Sequence, residues 1–322
     1  MTGGPSMTGT VAETSVDRDV TALLAELGPP VPVAELSTVE LRQSMRDAVS
    51  VFTHGAAPIA VDRVTDEHVP GGAGSIPARI YTPARPAAVM VYLHGGGWVV
   101  GDLDTHDLVA RRICRDTQSV VVSVDYRLMP EHPFPAALQD AWDATTWAAR
   151  LRPDLPFLVA GDSAGATLAA CVALTARDDG GPRIDGQVLV YPVVDDDLDA
   201  PSMQTYRDGP RITRDDLAYY LRMYLGTVQA RRSPYVLPGH AKWLGELPPT
   251  VLAVAGHDPL RSSEQKFGRR LEAAGIEVTV QVDPELVHGW IDFAPRVPSA
   301  DRAFSRLTQT INDLIHRGHA AA

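Results

Sequence analysis

The chain has 322 residues, 45% of them hydrophobic and 21% charged, with 26 Gly and 26 Pro. That is too apolar for a disordered chain, while its longest apolar runs, 87–93 and 120–124, fall far short of the roughly 18–20 residues that a spanning helix needs. Lys and Arg number 29 against 40 Asp and Glu, a net charge of −11, and an acidic surface without a basic stripe argues against nucleic acid and membrane insertion and suits a small neutral or apolar substrate.

The first 15 residues are rich in Gly, Thr and Ser and lack the basic-then-apolar order of a secretory signal, so residues 1–16 are expected to be disordered and the protein cytoplasmic. Helical periodicity follows in Val20, Leu23, Leu24 and Leu27, then in Leu41, Met45 and Val49, divided by Gly28-Pro29-Pro30. From residue 78 the pattern changes. Short β-branched runs at 78–81, 89–93, 120–125, 157–160, 186–191, 251–255 and 277–282 predict strands, and they alternate with helical stretches at 103–117, 135–150, 164–177, 262–274 and 300–316. Strand-then-helix repetition predicts an α/β fold with a mostly parallel sheet covered on both faces. The rhythm breaks between 198 and 247, where a helix near 215–225 lies among loops. This insertion and the N-terminal helices of 17–55 are expected to form a helical cap over a catalytic domain of 56–197 and 248–322. Cys114 and Cys171 each sit in an apolar helical pattern, as buried thiols of a reducing compartment do.

Gly161-Asp162-Ser163-Ala164-Gly165 lies between the strand at 157–160 and the helix from 164. A serine on so sharp a turn has a strained backbone, and the flanking glycines leave room for strand and helix to approach, the geometry of a nucleophile elbow. An ordinary Gly-rich turn carries the same residues, so the strand-helix context separates the two. His94-Gly95-Gly96-Gly97 follows the strand at 89–93. Consecutive glycines let backbone N–H groups turn toward a small anionic oxygen with no side chain in the way. A dinucleotide fingerprint fails here, because Val100 stands where its third glycine belongs.

The strand at 251–255 runs into Gly256-His257-Asp258-Pro259-Leu260, and the one at 277–282 is followed by His288-Gly289-Trp290. Alone, Asp258 reads as a turn residue and His288 as a packed or surface histidine. Their positions past strand ends, in the order Ser163, Asp258, His288, make them the acid and base of a hydrolase triad. The run Asp195-Asp196-Asp197 with Asp199 reads as a solvated turn. No His-Glu-x-x-His, Cys-x-x-Cys or Gly-Lys-Ser/Thr occurs, so no metal and no cofactor are expected. Trp98 and Trp290 each follow one of the loop motifs and are candidates for the substrate pocket, with core packing as the competing reading.

Together these residues resemble the hormone-sensitive-lipase family of α/β-hydrolases, the bacterial family IV esterases. The resemblance spans about residues 78–315 and includes 125–137, 208–210, 217–225, 233–234, 247–249 and 258–261. It implies an eight-stranded, mostly parallel sheet with a helical cap, and cofactor-free hydrolysis of short to medium acyl esters. By position, Ser163 is the nucleophile, His288 the general base, Asp258 its orienting acid, and the N–H groups of Gly96, Gly97 and Ala164 the oxyanion hole. His94 and Asp162 are expected to support the oxyanion loop by hydrogen bonds. The chain departs from the family at Ala166-Thr167, Ser262-Ser263, Glu285 and Trp290. Because the base must be neutral to act, activity is expected to rise with pH as a histidine loses its proton. Two rivals stand: an acyltransferase or lactone/amide hydrolase using the same triad, and a non-catalytic small-molecule receptor, which is expected to lack a triad member that this chain retains. The expected partner is a small-molecule ester, and a homodimer through the exposed end of the sheet is an open expectation.

Overall fold

In the computed structural model, which describes residues 14–226 and 232–320, the apolar runs pair into one eight-stranded sheet. Its strands are β1 (Arg63–Gly71), β2 (Gly74–Thr82), β3 (Ala88–Leu93), β4 (Ser119–Val124), β5 (Phe157–Asp162), β6 (Gly186–Val190), β7 (Thr250–His257) and β8 (Val278–Val287). They lie in the order β1-β2-β4-β3-β5-β6-β7-β8. β2 pairs antiparallel with β1 and with β4, and the remaining pairs are parallel.

β3 shows why this sequence makes a central strand. Val89, Val91 and Leu93 enter one apolar core, while Ala88, Met90 and Tyr92 enter the other. Burying each large side chain of this kind contributes about 1.5–3 kcal/mol. The first core is closed by α4 (Ala136–Ala148), α5 (Ala164–Asp178) and α8 (Arg261–Ala273), the second by α3 (Asp107–Thr117) and α9 (Pro298–Ala320). α5 is buried along nearly its whole length, and its run of Ala, Gly and Thr lets it approach both the sheet and α4 closely.

The crossovers decide where chemistry can sit. From β3 the chain passes through α3 to β4 on one side, then through α4 back across to β5 on the other. The carboxyl ends of β3 and β5 therefore flank a topological switch point, where an open α/β sheet forms its binding crevice. Leu93 stands opposite Gly161, so the tri-glycine loop and Ser163 leave the sheet side by side.

The N-terminal helices α1 (Arg18–Ala25) and α2 (Thr38–Phe52) and the helices α6 (Pro201–Thr205) and α7 (Arg214–Leu225) precede or interrupt the sheet. α2 starts with a capping box, in which Ser37 Oγ accepts from the Glu40 N–H and the Glu40 carboxylate accepts from the Ser37 N–H. Thr213 and Asp216 do the same for α7, and the second carboxylate oxygen of Asp216 accepts from the Val33 N–H at 3.2 Å. That bond ties the N-terminal segment to the insertion.

Several expectations shift. β1 has no counterpart among the expected strands because its side chains are mostly charged or polar and only Val69 is buried. The helix expected from 103 begins at Asp107, since Asp102 and Thr105 bond each other in a turn before it. The strand expected to end at 282 continues to Val287. Of residues 1–16, those up to 13 lie outside the described residues, whereas the Thr14 hydroxyl donates to the Pro284 carbonyl at 2.8 Å. In the insertion, 227–231 lie outside the described residues; Arg270 of α8 donates to the Gly239 and Ala241 carbonyls, fastening that stretch to the sheet's helical layer. Among the described residues no helix is long and apolar enough to cross a membrane.

Candidate active site

Ser163 joins β5 to α5 with φ +51° and ψ −121°, a conformation L-residues rarely adopt. Two restraints hold it there. Its N–H donates to the Val190 carbonyl at 2.8 Å, and the glycines on either side admit no side chain: a Cβ at Gly165 would stand 1.9 Å from the Leu93 oxygen, and one at Gly161 2.4 Å from the Gly165 backbone.

Asp258 and His288 arrive from β7 and β8. A register shift between Ala255 and His257 pairs His257 with Val287, and Gly256 passes so near Pro284 that a Cβ there would lie 2.1 Å from its oxygen. The two strand ends are thereby drawn together. His288 Nδ1 lies 2.7 Å from Asp258 Oδ2, and His288 Nε2 lies 2.9 Å from Ser163 Oγ. The other Asp258 oxygen accepts from the Leu260 N–H at 2.9 Å, and the carboxylate is fully buried. A carboxylate facing Nδ1 keeps the imidazole proton on that nitrogen and leaves the Nε2 lone pair toward the serine.

The oxyanion loop is braced from below. Asp162 Oδ1 accepts from the Gly95 N–H at 2.9 Å and from the Tyr92 hydroxyl at 2.6 Å. His94 donates from Nδ1 to the Gly95 carbonyl at 2.8 Å, its ring stacks on Tyr126 at 4.3 Å, and the Tyr126 hydroxyl donates to the His94 carbonyl. Burial, with the nearby His106 charge, lowers the His94 imidazole to about 4, so the ring is neutral and Nδ1 can carry a single donated proton. Burial alone raises the Asp162 carboxyl, but the His106 charge 3.7 Å away and the Tyr92 bond outweigh it and hold it below the usual carboxylate range. Burial likewise lowers His106, and the Asp162 charge more than restores it. Gly96 and Gly97 have φ of +119° and +59°, and a Cβ on either would meet the Val100 oxygen at 2.1 Å or the Tyr220 ring at 2.4 Å. Ala164 is fully buried as the first residue of α5, where an N–H has no intrahelical acceptor.

Ser163, His288, Gly96 and Gly97 open into one cavity of about 930 Å³. Its walls come from α1, α2 and the segment between them, and from residues 210–221. Trp98 lies on this lining with its ring stacked 3.9 Å from Tyr224. Trp290 does not: Gly289, at φ +79°, turns the chain so that Trp290 is wholly buried against Tyr191 and Phe304. For Trp290 the core-packing reading replaces the pocket one. Sequence reasoning missed His106, Tyr191, Arg211, Tyr220 and Asp292, all on the lining. No local motif marks them, since each comes from a different loop or helix.

Behind the acid lies a second carboxyl. Glu264 is fully buried in the first turn of α8, with no hydrogen-bond partner for either oxygen. Burial, and then the Asp258 charge, push it well above its ordinary value of 4.5. An acid raised on folding costs no stability below its unfolded value, and an increasing amount as pH climbs above it. Glu264→Gln is therefore expected to melt at a higher temperature than the parent by an amount that grows from about pH 4 to about pH 8. Calorimetry at both ends of the range checks this, and a pH-independent difference would contradict it.

Known proteins share these features. A family described as having an alpha/beta hydrolase fold matches residues 90–292. Esterase LipI of Mycobacterium tuberculosis is 42% identical over 287 residues, covering 86% of this chain and 88% of that one. Carboxylesterase NlhH of the same organism is 42% identical over 257 residues, covering 76% and 80%. Among solved structures, a hyperthermophilic esterase from the archaeon Pyrobaculum calidifontis superposes with a TM-score of 0.86 at 33% identity, covering 94% of this chain and 99% of that one.

Proposed function

This chain belongs to the α/β-hydrolase family, in its hormone-sensitive-lipase-like branch, and is a serine carboxylesterase; from that premise we propose that Ser163, His288 and Asp258 carry the reaction on esters of short to medium acyl chains. The observation that supports this assignment is the continuous line of contacts from Asp258 through His288 to Ser163 on the wall of the cavity.

Ser163 Oγ attacks the ester carbonyl carbon while His288 Nε2 takes its proton, and Asp258 stabilises the imidazolium that forms. The carbonyl oxygen becomes anionic and is met by the N–H groups of Gly96, Gly97 and Ala164. One such donor is worth about 10²–10³ in turnover, because it is already oriented before charge develops. His288 then protonates the leaving alkoxide, the alcohol departs, and a Ser163 acyl-enzyme remains. Water, giving its proton to His288, attacks the acyl carbon; collapse returns the proton to Ser163 and releases the acid.

Residues 17–55 and 198–247 form the cap, and the presence of residues from 21–51 and 210–221 on the cavity walls supports that division. Cys114 and Cys171, both buried and unpaired, support a cytoplasmic location. The outer edge of β8, short of Pro284 and Glu285 whose carbonyls accept from Thr14 and Asp17, is the surface on which we place a second copy in a homodimer.

Treatment with one equivalent of diethyl p-nitrophenyl phosphate is expected to abolish hydrolysis of p-nitrophenyl butyrate and to leave a diethylphosphoryl group on the Ser163 peptide, read by mass spectrometry. Persistent turnover, or a label on another residue, would overturn the assignment.

A further inference from the structure

The cavity contains a cation that the triad does not use. Among the described residues lining it, Arg211 is the sole lysine or arginine. Its Nε is buried without a hydrogen-bond acceptor. The guanidinium lies over the Phe52 ring, 5.4 Å from its centre, and Nε is 3.7 Å from where a Cβ on Gly289 would stand, next to the catalytic base. Apart from Asp292, the acids on the lining are engaged elsewhere: Glu26 by Arg296, Glu40 by Ser37, Asp47 by Gln43, Asp162 by Tyr92 and the Gly95 N–H, and Asp216 by the Thr213 and Val33 N–H groups. Asp292 feels the Arg211 charge but forms no ion pair with it, and burial pushes its carboxyl up to about 6.

We propose that Arg211 is a carboxylate-recognising subsite, so that the preferred substrates are half-esters of short dicarboxylic acids; this rests on the hydrolase reading and specifies its substrate class. With Nε closed off, the two terminal Nη groups of the guanidinium form a planar fork that matches a carboxylate in two parallel charge-assisted hydrogen bonds. Because Arg211 stands beside Gly289, one residue from the base, only a short chain separates the reacting carbonyl from the recognised carboxylate. The net acidity of the chain does not oppose this, since charges farther than about 8–10 Å are screened at ordinary ionic strength.

The test compares ethyl hydrogen glutarate with ethyl pentanoate, which has a methyl group in place of the carboxylate, by titrating released acid. The parent is expected to show a kcat/KM about 10- to 100-fold higher on the half-ester. In Arg211→Gln the ratio between the two esters is expected to fall at least about tenfold. Arg211→Lys, which keeps the charge without the fork, is expected to fall between them. Inhibition of parent ethyl pentanoate turnover by glutarate, stronger than by pentanoate, reports on the subsite without any variant. Equal rates on the two esters, a ratio unchanged in Arg211→Gln, or equal inhibition by the two acids would each overturn the subsite. Absence of turnover of both esters would instead overturn the hydrolase reading beneath it.

Discussion

Ser163→Ala is expected to lower kcat on p-nitrophenyl butyrate by about 10⁵–10⁶-fold, close to what is lost when a whole triad is removed. The size follows from how the three residues depend on one another. His288 has nothing to deprotonate once Oγ is gone, and Asp258 has no imidazolium to stabilise, so the loss is that of a unit and not of one hydrogen bond at 2.9 Å. The residual rate is set by the oxyanion N–H groups and by binding, which alanine leaves in place. Alanine also keeps the Cβ, and with it the backbone strain at φ +51°. The melting temperature is therefore expected to stay near that of the parent, which separates a chemical loss from unfolding. Steady-state kinetics with a calorimetric control decides the matter, and a variant retaining a tenth of the parent rate would remove Ser163 from its role.

Asp258→Asn is expected to cost about 10⁴-fold in kcat while leaving the fold intact. Asparagine occupies nearly the same volume, and its carbonyl oxygen can still accept the Leu260 N–H that Oδ1 now holds at 2.9 Å. The amide nitrogen then faces His288 Nδ1, where a carboxylate oxygen now lies at 2.7 Å. It donates to Nδ1, which moves the imidazole proton to Nε2. The base then presents a proton, not a lone pair, to Ser163. Glutamine at Glu264 is a useful contrast, because it removes a carboxyl from the same neighbourhood without touching the ring. A loss in Asp258→Asn smaller than about tenfold, measured as kcat, would assign tautomer control to another group.

The parts of the fold legible in the sequence are those where burial is two-sided. β3, β4 and β5 are continuous apolar runs because helices cover both faces, and their limits lie within a residue or two of expectation. β1 is an edge strand facing water on most of its length, so its residues carry no alternation to read. The strand expected over 277–282 continues to Val287, with Pro284 lying against Gly256 and pairing with β7 resuming at Val287. The site divides similarly. Ser163 and the three glycines sit in local motifs whose backbone demands leave a sequence signature. Arg211 and Asp292 meet the cavity only through the three-dimensional course of the insertion and of the turn after His288. Trp290 followed the same local logic as Trp98, but its side chain packs against Tyr191 and Phe304 and does not join the cavity lining.

The steric closure around the elbow has a consequence for how this protein can change by descent. At Gly165, Gly161 and Gly95 the first added carbon would overlap, in turn, the Leu93 oxygen, the Gly165 backbone and the Asp162 carboxylate. Single-step paths out of the two motifs are closed, and leaving them requires several coordinated replacements at once. The walls of the cavity obey a looser rule. They are built from α1, α2 and residues 210–221, segments remote in sequence from the strands that carry the triad. Replacements in this roof therefore meet no such steric bar from the elbow, and they can reshape the cavity while leaving the backbone of the two motifs untouched.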